Sequence, residues 1–255
     1  MLVMKFGGAS VNSPESFSKI ADLIIEKTKS DSRIVVVVSA MANTTDQLQQ
    51  LAFKVHPNPP SRELAMMISA GERISIALLA MALSLKGKEA VSFTGSQSGI
   101  ITCENHTFAN IIDVRPFKLL PVLDRGQVVI VAGFQGVSKL GNITTLGRGG
   151  SDTTAIALAA ALGASEVEFY KDVLGVYDSD PKENPSSKLF SELSFQQAID
   201  IVSSGAKILH PRSLRLAHKN GIRLVVRSFN FADQLGTLIG AGIERSLNTI
   251  YEMEG

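Results

Sequence analysis

Lys5-Phe6-Gly7-Gly8-Ala9-Ser10 sets a lysine at the end of an apolar run, followed by two glycines and a helix-start signal. Glycines let backbone N–H groups approach an anion, and the lysine adds one mobile positive charge, a combination suited to phosphate oxygens. The plainer reading is a tight turn after a strand. A Walker loop is excluded, because Gly-x-x-x-x-Gly-Lys-Ser/Thr is absent. Thr144-Thr145-Leu146-Gly147-Arg148-Gly149-Gly150-Ser151-Asp152 places glycines, an arginine and a serine at the head of an alanine-rich run. Arginine can grip a carboxylate through two parallel hydrogen bonds. The bland alternative is a capped helix with a surface arginine. Two anion-receptive turns in one chain favour phosphoryl transfer more than either does alone.

Two further stretches carry cations. Tyr170-Lys171-Asp172-Val173, continued by Gly175-Val176-Tyr177-Asp178-Ser179-Asp180-Pro181-Lys182, follows an expected strand end, where open α/β sheets bind ligands. Its aromatic rings and lysines suit a nucleotide; an ordinary surface loop with an Asp-Pro turn is the alternative. In Ser204-Gly205-Ala206-Lys207-Ile208-Leu209-His210-Pro211-Arg212, Lys207 follows a glycine that should end a helix and is a candidate second cation for a transferring phosphate. His210, in an apolar context before proline, is read as structural.

Composition narrows the partners. The 25 basic and 24 acidic residues nearly cancel, so no global field recruits nucleic acid or an anionic membrane. Small molecules and further copies of the chain remain. Cys103 is the single cysteine, which excludes an intrachain disulfide and a four-cysteine zinc site, and it is read as a small, partly buried residue. Met1–Phe6 is too short for a signal-peptide core, and the apolar stretch around Ala65–Leu85 carries Glu72 and Arg73. A cytoplasmic protein is expected.

The elements that must position these residues alternate. Leu2–Phe6 reads as a strand, Ser13-Pro14-Glu15 as a serine-capped helix start, and Arg33–Ser39, with its four valines, as a strand covered on both faces. A helix over Thr44–Val55 is broken by Pro57–Pro60, and Ser61 is expected to cap one long helix reaching Leu85. Strands are expected at Lys88–Phe93, Ile111–Val114, Gln127–Ala132, Glu166–Tyr170, Ile222–Val226 and Gly236–Ile239, and helices at Asp152–Leu162, Ser194–Val202 and Pro211–His218. Strands separated by helices imply an α/β fold with a largely parallel sheet between helical layers. There is no repeat or low-complexity tract. Gly141–Gly150 is expected to separate an N-terminal acceptor half, about 1–140, from a C-terminal nucleotide half, about 141–255, both within one domain and one sheet.

Taken in order, these stretches resemble aspartate kinases of the amino acid kinase family over essentially the whole chain. The resemblance also rests on Ser39-Ala40-Met41 with Thr44-Thr45, Gly71-Glu72-Arg73-Ile74-Ser75, Phe93–Gly99 and Gly133-Phe134-Gln135-Gly136. It implies a three-layer αβα sandwich around an open sheet of about eight strands, and a homodimer. It also implies phosphorylation of L-aspartate by ATP with Mg²⁺, the first step toward lysine, threonine and methionine. By the same resemblance, Arg148 would clamp the α-carboxylate and Glu72 would receive the ammonium group. Ser39 and Thr45, with Thr44 as a substitute, would line the acceptor pocket with Gly149 and Gly150. Lys5, Phe6, Gly7 and Gly8 would hold the transferring phosphate with Ser151 nearby, and Lys171, Asp172, Tyr177, Lys182 and Lys207 would contact the nucleotide. Mg²⁺ would ride on ATP oxygens without a protein ligand.

Ala9 stands where the family usually has threonine or serine, Lys171 replaces a common threonine or serine, and Lys182 a common arginine. The chain ends at Gly255, before the paired ACT regulatory domains usual in the family, so feedback inhibition by lysine or threonine is not expected. The alternatives are a sibling kinase acting on another acceptor, such as uridylate or acetylglutamate, and a non-catalytic nucleotide-binding sensor.

Overall fold

The computed structural model describes residues 1–181, 183–206, 208–246 and 248–252. The chain runs β1 (Leu2–Phe6), α1 (Pro14–Lys27), β2 (Ile34–Val38), α2 (Thr44–Val55), α3 (Ser61–Ile68), α4 (Ala70–Leu85), β3 (Ala90–Phe93), β4 (Ile100–Thr102) and β5 (Ile111–Val114). It continues through α5 (Leu120–Asp124), β6 (Val128–Ala132), β7 (Gln135–Ser138), β8 (Ile143–Thr145), α6 (Gly150–Leu162) and β9 (Glu166–Lys171). The remainder is β10 (Glu192–Leu193), α7 (Phe195–Ser203), α8 (Pro211–Asn220), β11 (Arg223–Ser228) and β12 (Thr237–Ile239).

An eight-stranded sheet in the order β10-β12-β11-β9-β1-β2-β6-β3 forms the centre, parallel except between β11 and β12. Its inner strands β1, β2 and β6 are buried end to end, as their unbroken apolar runs require when helices cover both faces. Alternation along each strand then sorts side chains between two cores. Met4, Phe6, Val36, Val38 and Tyr170 pack with α1 and α4, whereas Val3, Val35, Val37 and Phe169 pack with α6 and α8. Lys5 shares the parity of Val3 and therefore faces the α6 layer.

Several expectations change. The strands do not form one sheet: β5, β4, β7 and β8 make a separate four-stranded sheet, so the expected strand at Ile111–Val114 belongs there. Three of the four, β4, β7 and β8, went unanticipated because segments of three or four residues hold too few alternations to register as a pattern. The long helix from Ser61 is interrupted at Ser69, whose carbonyl accepts from the buried Gln135 Nε2 at 2.8 Å. Ser61 is the first helical residue behind Pro60 rather than a cap. Ser13 likewise precedes α1 without a side-chain cap, and its carbonyl takes the Ser16 hydroxyl instead, at 2.6 Å. Ser61–Leu85 is long and apolar enough to cross a membrane by length and composition alone, but α4 packs against α1, β3 and β6. Cys103 is half-buried, its sulfur accepting from Asn110 N at 3.3 Å.

Candidate active site

Strand order creates the site. From β1 the chain proceeds to β2, β6 and β3 on one side, and β9 and β11 lie on the other, so the β1–β9 boundary is a switch point with a crevice beyond the carboxyl ends. Lys5 pairs in register with Phe169, which puts Lys171 two residues further along the same face. Between the two ammonium groups lies Asp152, in the first turn of α6: its Oδ1 is 2.6 Å from Lys5 Nζ and its Oδ2 3.6 Å from Lys171 Nζ. Burial by itself would raise the Asp152 carboxyl, but Lys171 and Lys5 outweigh it and hold it below the usual carboxylate range. Lys171 is pushed down, first by burial and then by Lys5, with Asp152 opposing.

The turn after β1 is a close backbone approach. A Cβ on Gly8 would lie 3.2 Å from Ala40 O, and the Gly7 carbonyl accepts from Ser10 N at 2.9 Å. Ser10 Oγ donates to Tyr170 O at 3.1 Å, which ties this turn to β9. The Phe6 ring is buried and stacked on Tyr170 at 4.7 Å between centroids, so only its backbone is available to a ligand. Its parity directs the ring into the α1 core, so any part Phe6 takes in holding phosphate falls to its backbone.

A cleft of about 790 Å³ opens above these groups. Lys5, Gly8, Ser39, Thr45 and Glu72 line it together with Arg148, Gly149, Gly150, Ser151 and Asp152. Gly71 permits this arrangement, because a Cβ there would meet Ala40 Cβ at 2.8 Å as α4 presses onto the segment after β2. Thr44 packs toward Gly71 and does not line the cleft, so of the Thr44-Thr45 pair it is Thr45 that does. Glu72 is 3% exposed. Its Oε1 accepts from Ala40 N at 3.1 Å, and its buried Oε2 has no hydrogen-bond partner among the described residues. Burial raises this carboxyl to about 7. Such an oxygen is expensive to leave unpaired and is suited to a cationic ligand.

Arg148 stands exposed on the rim, in the turn between Gly147 at φ +71° and Gly149 at φ +74°. Both glycines occupy the left-handed region, and a Cβ on Gly149 would lie 2.3 Å from His210 Cβ. Gly149→Ala is therefore expected to lower unfolding stability by roughly 1–2 kcal/mol, read from thermal melts; an unchanged melting temperature would mean that the turn tolerates a side chain. His210 caps α8, its Nδ1 accepting from Arg212 N at 3.2 Å, in keeping with a structural role.

Gly7, Lys171, Asp172 and Tyr177 do not line the cleft. Lys171 reaches it through Asp152, whereas exposed Asp172 and half-buried Tyr177 lie beyond the end of β9. Lys182 and Lys207 fall outside the described residues. Asp46, Gln49, Thr107, Phe108 and Phe134 line the cleft without having been anticipated. Phe134 carried one local signal, its place between Gly133 and Gln135, and it adopts φ +68°. Asp152 was visible only as a helix-start acid; its role needs β1 and β9 to be neighbours.

A profile of the amino acid kinase family matches residues 1–228. An aspartokinase from Corynebacterium efficiens is 48% identical over 245 residues, which is 96% of this chain and 58% of that protein. The chain thus spans well under two thirds of that relative's length. The crystal structure of aspartate kinase from Synechocystis superposes with a TM-score of 0.87 at 40% identity, covering 99% of this chain and 41% of that one. E. coli aspartokinase III, in complex with aspartate and ADP, gives a TM-score of 0.81 at 27% identity, covering 97% of this chain and 66% of that one.

Proposed function

Because this chain belongs to the amino acid kinase family, we propose that it transfers the γ-phosphoryl group of MgATP to the side-chain carboxylate of L-aspartate, giving 4-phospho-L-aspartate. The observation that carries the reading is the pair of amino-acid handles lining one cleft. Glu72 offers a buried, unpartnered carboxylate oxygen, and Arg148 lines the same cleft on an exposed turn, with no ion pair among the described residues. Glu72 takes the ammonium group and Arg148 the α-carboxylate, with Ser39, Thr45, Gly149 and Gly150 around them. The side-chain carboxylate is left to face Lys5, Ser151 and the Gly7-Gly8 turn. The complex of E. coli aspartokinase III with aspartate and ADP supports the choice of both substrates.

The chemistry asks little of proton transfer. An aspartate side chain has a pKa of about 3.9, so the nucleophile is ionised at neutral pH without a general base. What is required is alignment of two anions and neutralisation of charge on the equatorial phosphoryl oxygens. Lys5 supplies a cation at the site of transfer, where its ammonium can donate to phosphate while keeping its contact with Asp152. Asp152 and Lys171 keep that cation aimed. Lys207 is assigned to the nucleotide phosphates, and Asp172, Tyr177 and Lys182 to the rest of the nucleotide. Asp152, a buried carboxylate lining the cleft beside Lys5, is already engaged by two ammonium groups. A Mg²⁺ ion would therefore be held by ATP oxygens, where it supplies further charge neutralisation.

The reading includes a single kinase domain over 1–255, with acceptor and nucleotide halves meeting near 141, working as a cytoplasmic homodimer in synthesis of lysine, threonine and methionine. The deciding assay incubates the chain with MgATP and L-aspartate and traps the acyl phosphate with hydroxylamine, beside glutamate and acetylglutamate, with uridylate followed by ADP release because its product is a phosphoanhydride. Hydroxamate formed with aspartate alone is expected. Preference for another acceptor, or nucleotide binding without turnover, would overturn the assignment.

A further inference from the structure

Arg212, which the chemistry above does not use, is the second residue of α8 behind the His210 cap and Pro211. A positive charge at a helix N-terminus opposes the helix dipole, so its contacts must outweigh that cost. Its side chain is 18% exposed, and all three guanidinium nitrogens donate hydrogen bonds. Nη1 donates to Leu146 O, and Nη2 donates to Ala109 O at 2.6 Å and to Asn110 Oδ1 at 3.3 Å. Nε pairs with Glu252 Oε1, and Nη2 also reaches Glu252 Oε2 at 2.6 Å. Glu252 is anchored in turn: its Oε2 accepts from Ile111 N at 2.8 Å and its own N–H donates to Ile111 O at 2.9 Å.

These contacts converge on the turn that carries Arg148. Leu146, two residues before it, is tied through its carbonyl to Arg212 and through its N–H to Phe134 O at 2.8 Å. Gly149, one residue after it, rests against His210. Both shoulders of the turn therefore sit on the head of α8, while the Arg148 side chain itself is exposed.

We infer that Arg212 is a positioning residue for the acceptor site: latched by Glu252, it fixes the Leu146–Gly150 turn so that the Arg148 guanidinium meets the acceptor carboxylate in one orientation. The inference rests on the role proposed for Arg148. It accounts for an arginine at this position, since bonds to two backbone carbonyls, an amide and a carboxylate need the planar fork that lysine lacks. Losing the fork loosens the acceptor grip and leaves the nucleotide grip alone.

The test uses the full chain and the variants Arg212→Gln, Arg212→Lys and Glu252→Gln, with steady-state kinetics and amide hydrogen exchange. Arg212→Gln is expected to raise KM for aspartate ~10-fold, with KM for ATP and kcat within ~3-fold, because the lost element orients one substrate. Arg212→Lys should follow it. Glu252→Gln, which spares the carbonyl contacts, should give an effect of ~3-fold and covers the case in which Arg212→Gln does not fold. Amides of Gly147–Ser151 should exchange faster in the Arg212 variants while those of β6 stay unchanged. An unchanged KM for aspartate, an equal rise in both KM values, or unchanged exchange in the turn would overturn the inference. If the parent chain does not phosphorylate aspartate, the proposed function fails, and the exchange comparison still decides whether Arg212 holds the turn.

Discussion

Replacing Lys5 by alanine is expected to lower turnover by about 100-fold or more, the scale on which losing one preorganised electrostatic contact registers. Lys5 is 5% exposed, and its ammonium is held 2.6 Å from Asp152 at the floor of the cleft. A cation fixed in this way needs no reorganisation when charge spreads over the phosphoryl oxygens, which is why its removal should act on kcat. Asp152 would keep Lys171 as a partner at 3.6 Å, so the variant retains a counter-charge beside its buried carboxylate. Hydroxylamine trapping at saturating aspartate and MgATP measures the effect, and a melt run in parallel separates lost chemistry from lost fold. Near-normal turnover would remove Lys5 from the mechanism. Lys171→Ser, in contrast, should cost less than ~10-fold, since that lysine acts through Asp152 rather than at the site of transfer.

The second large effect falls on Glu72. Burial raises its carboxyl to about 7. Only the ionised form attracts an ammonium group, so KM for aspartate should fall about tenfold between pH 6 and pH 8, and Glu72→Gln should abolish that dependence. The same substitution should raise KM by ~10-fold to 100-fold at pH 8, the range for a hydrogen bond to a charged group. Stability should move the other way. The folded state holds the Glu72 proton more tightly than the unfolded chain, so native stability is lost as pH rises from about 4.5 through 7, by roughly 3 kcal/mol in total. Glu72→Gln should therefore melt higher than the parent at pH 8 and level with it near pH 4. A lower melting temperature at pH 8 would mean that the Glu72 charge is already compensated in the empty site. Such a combination, weaker acceptor binding with a firmer fold, is the pattern expected when a site keeps an unpaired buried oxygen for its ligand.

Much of the central sheet and of the cleft's walls was legible before the structure. The valine run of β2 could only be a strand covered on both faces, and Ser13-Pro14 and Gly149-Gly150 both mark where helices start. Lys5 at the tip of β1 and Arg148 between left-handed glycines carried their chemistry in residue type and neighbours. The break at Ser69 was hidden because the local pattern reads helical throughout, and what fills the break is Gln135.

The sequence by itself determined most strands of the large sheet and most of the helices, and which turns have the glycines and cations to accept an anion, since periodicity, glycine and capping chemistry act within a few residues. The short strands β4, β7, β8 and β10 escaped it. Only the tertiary structure decided that Asp152 stands between Lys5 and Lys171, that Phe6 turns inward while Gly8 faces the cleft, and that Arg212 and Glu252 brace the turn of Arg148. Those relations depend on β9 lying beside β1 and on α6 and α8 packing over that face. Strand order is a contest among long-range contacts and leaves no imprint on local spacing.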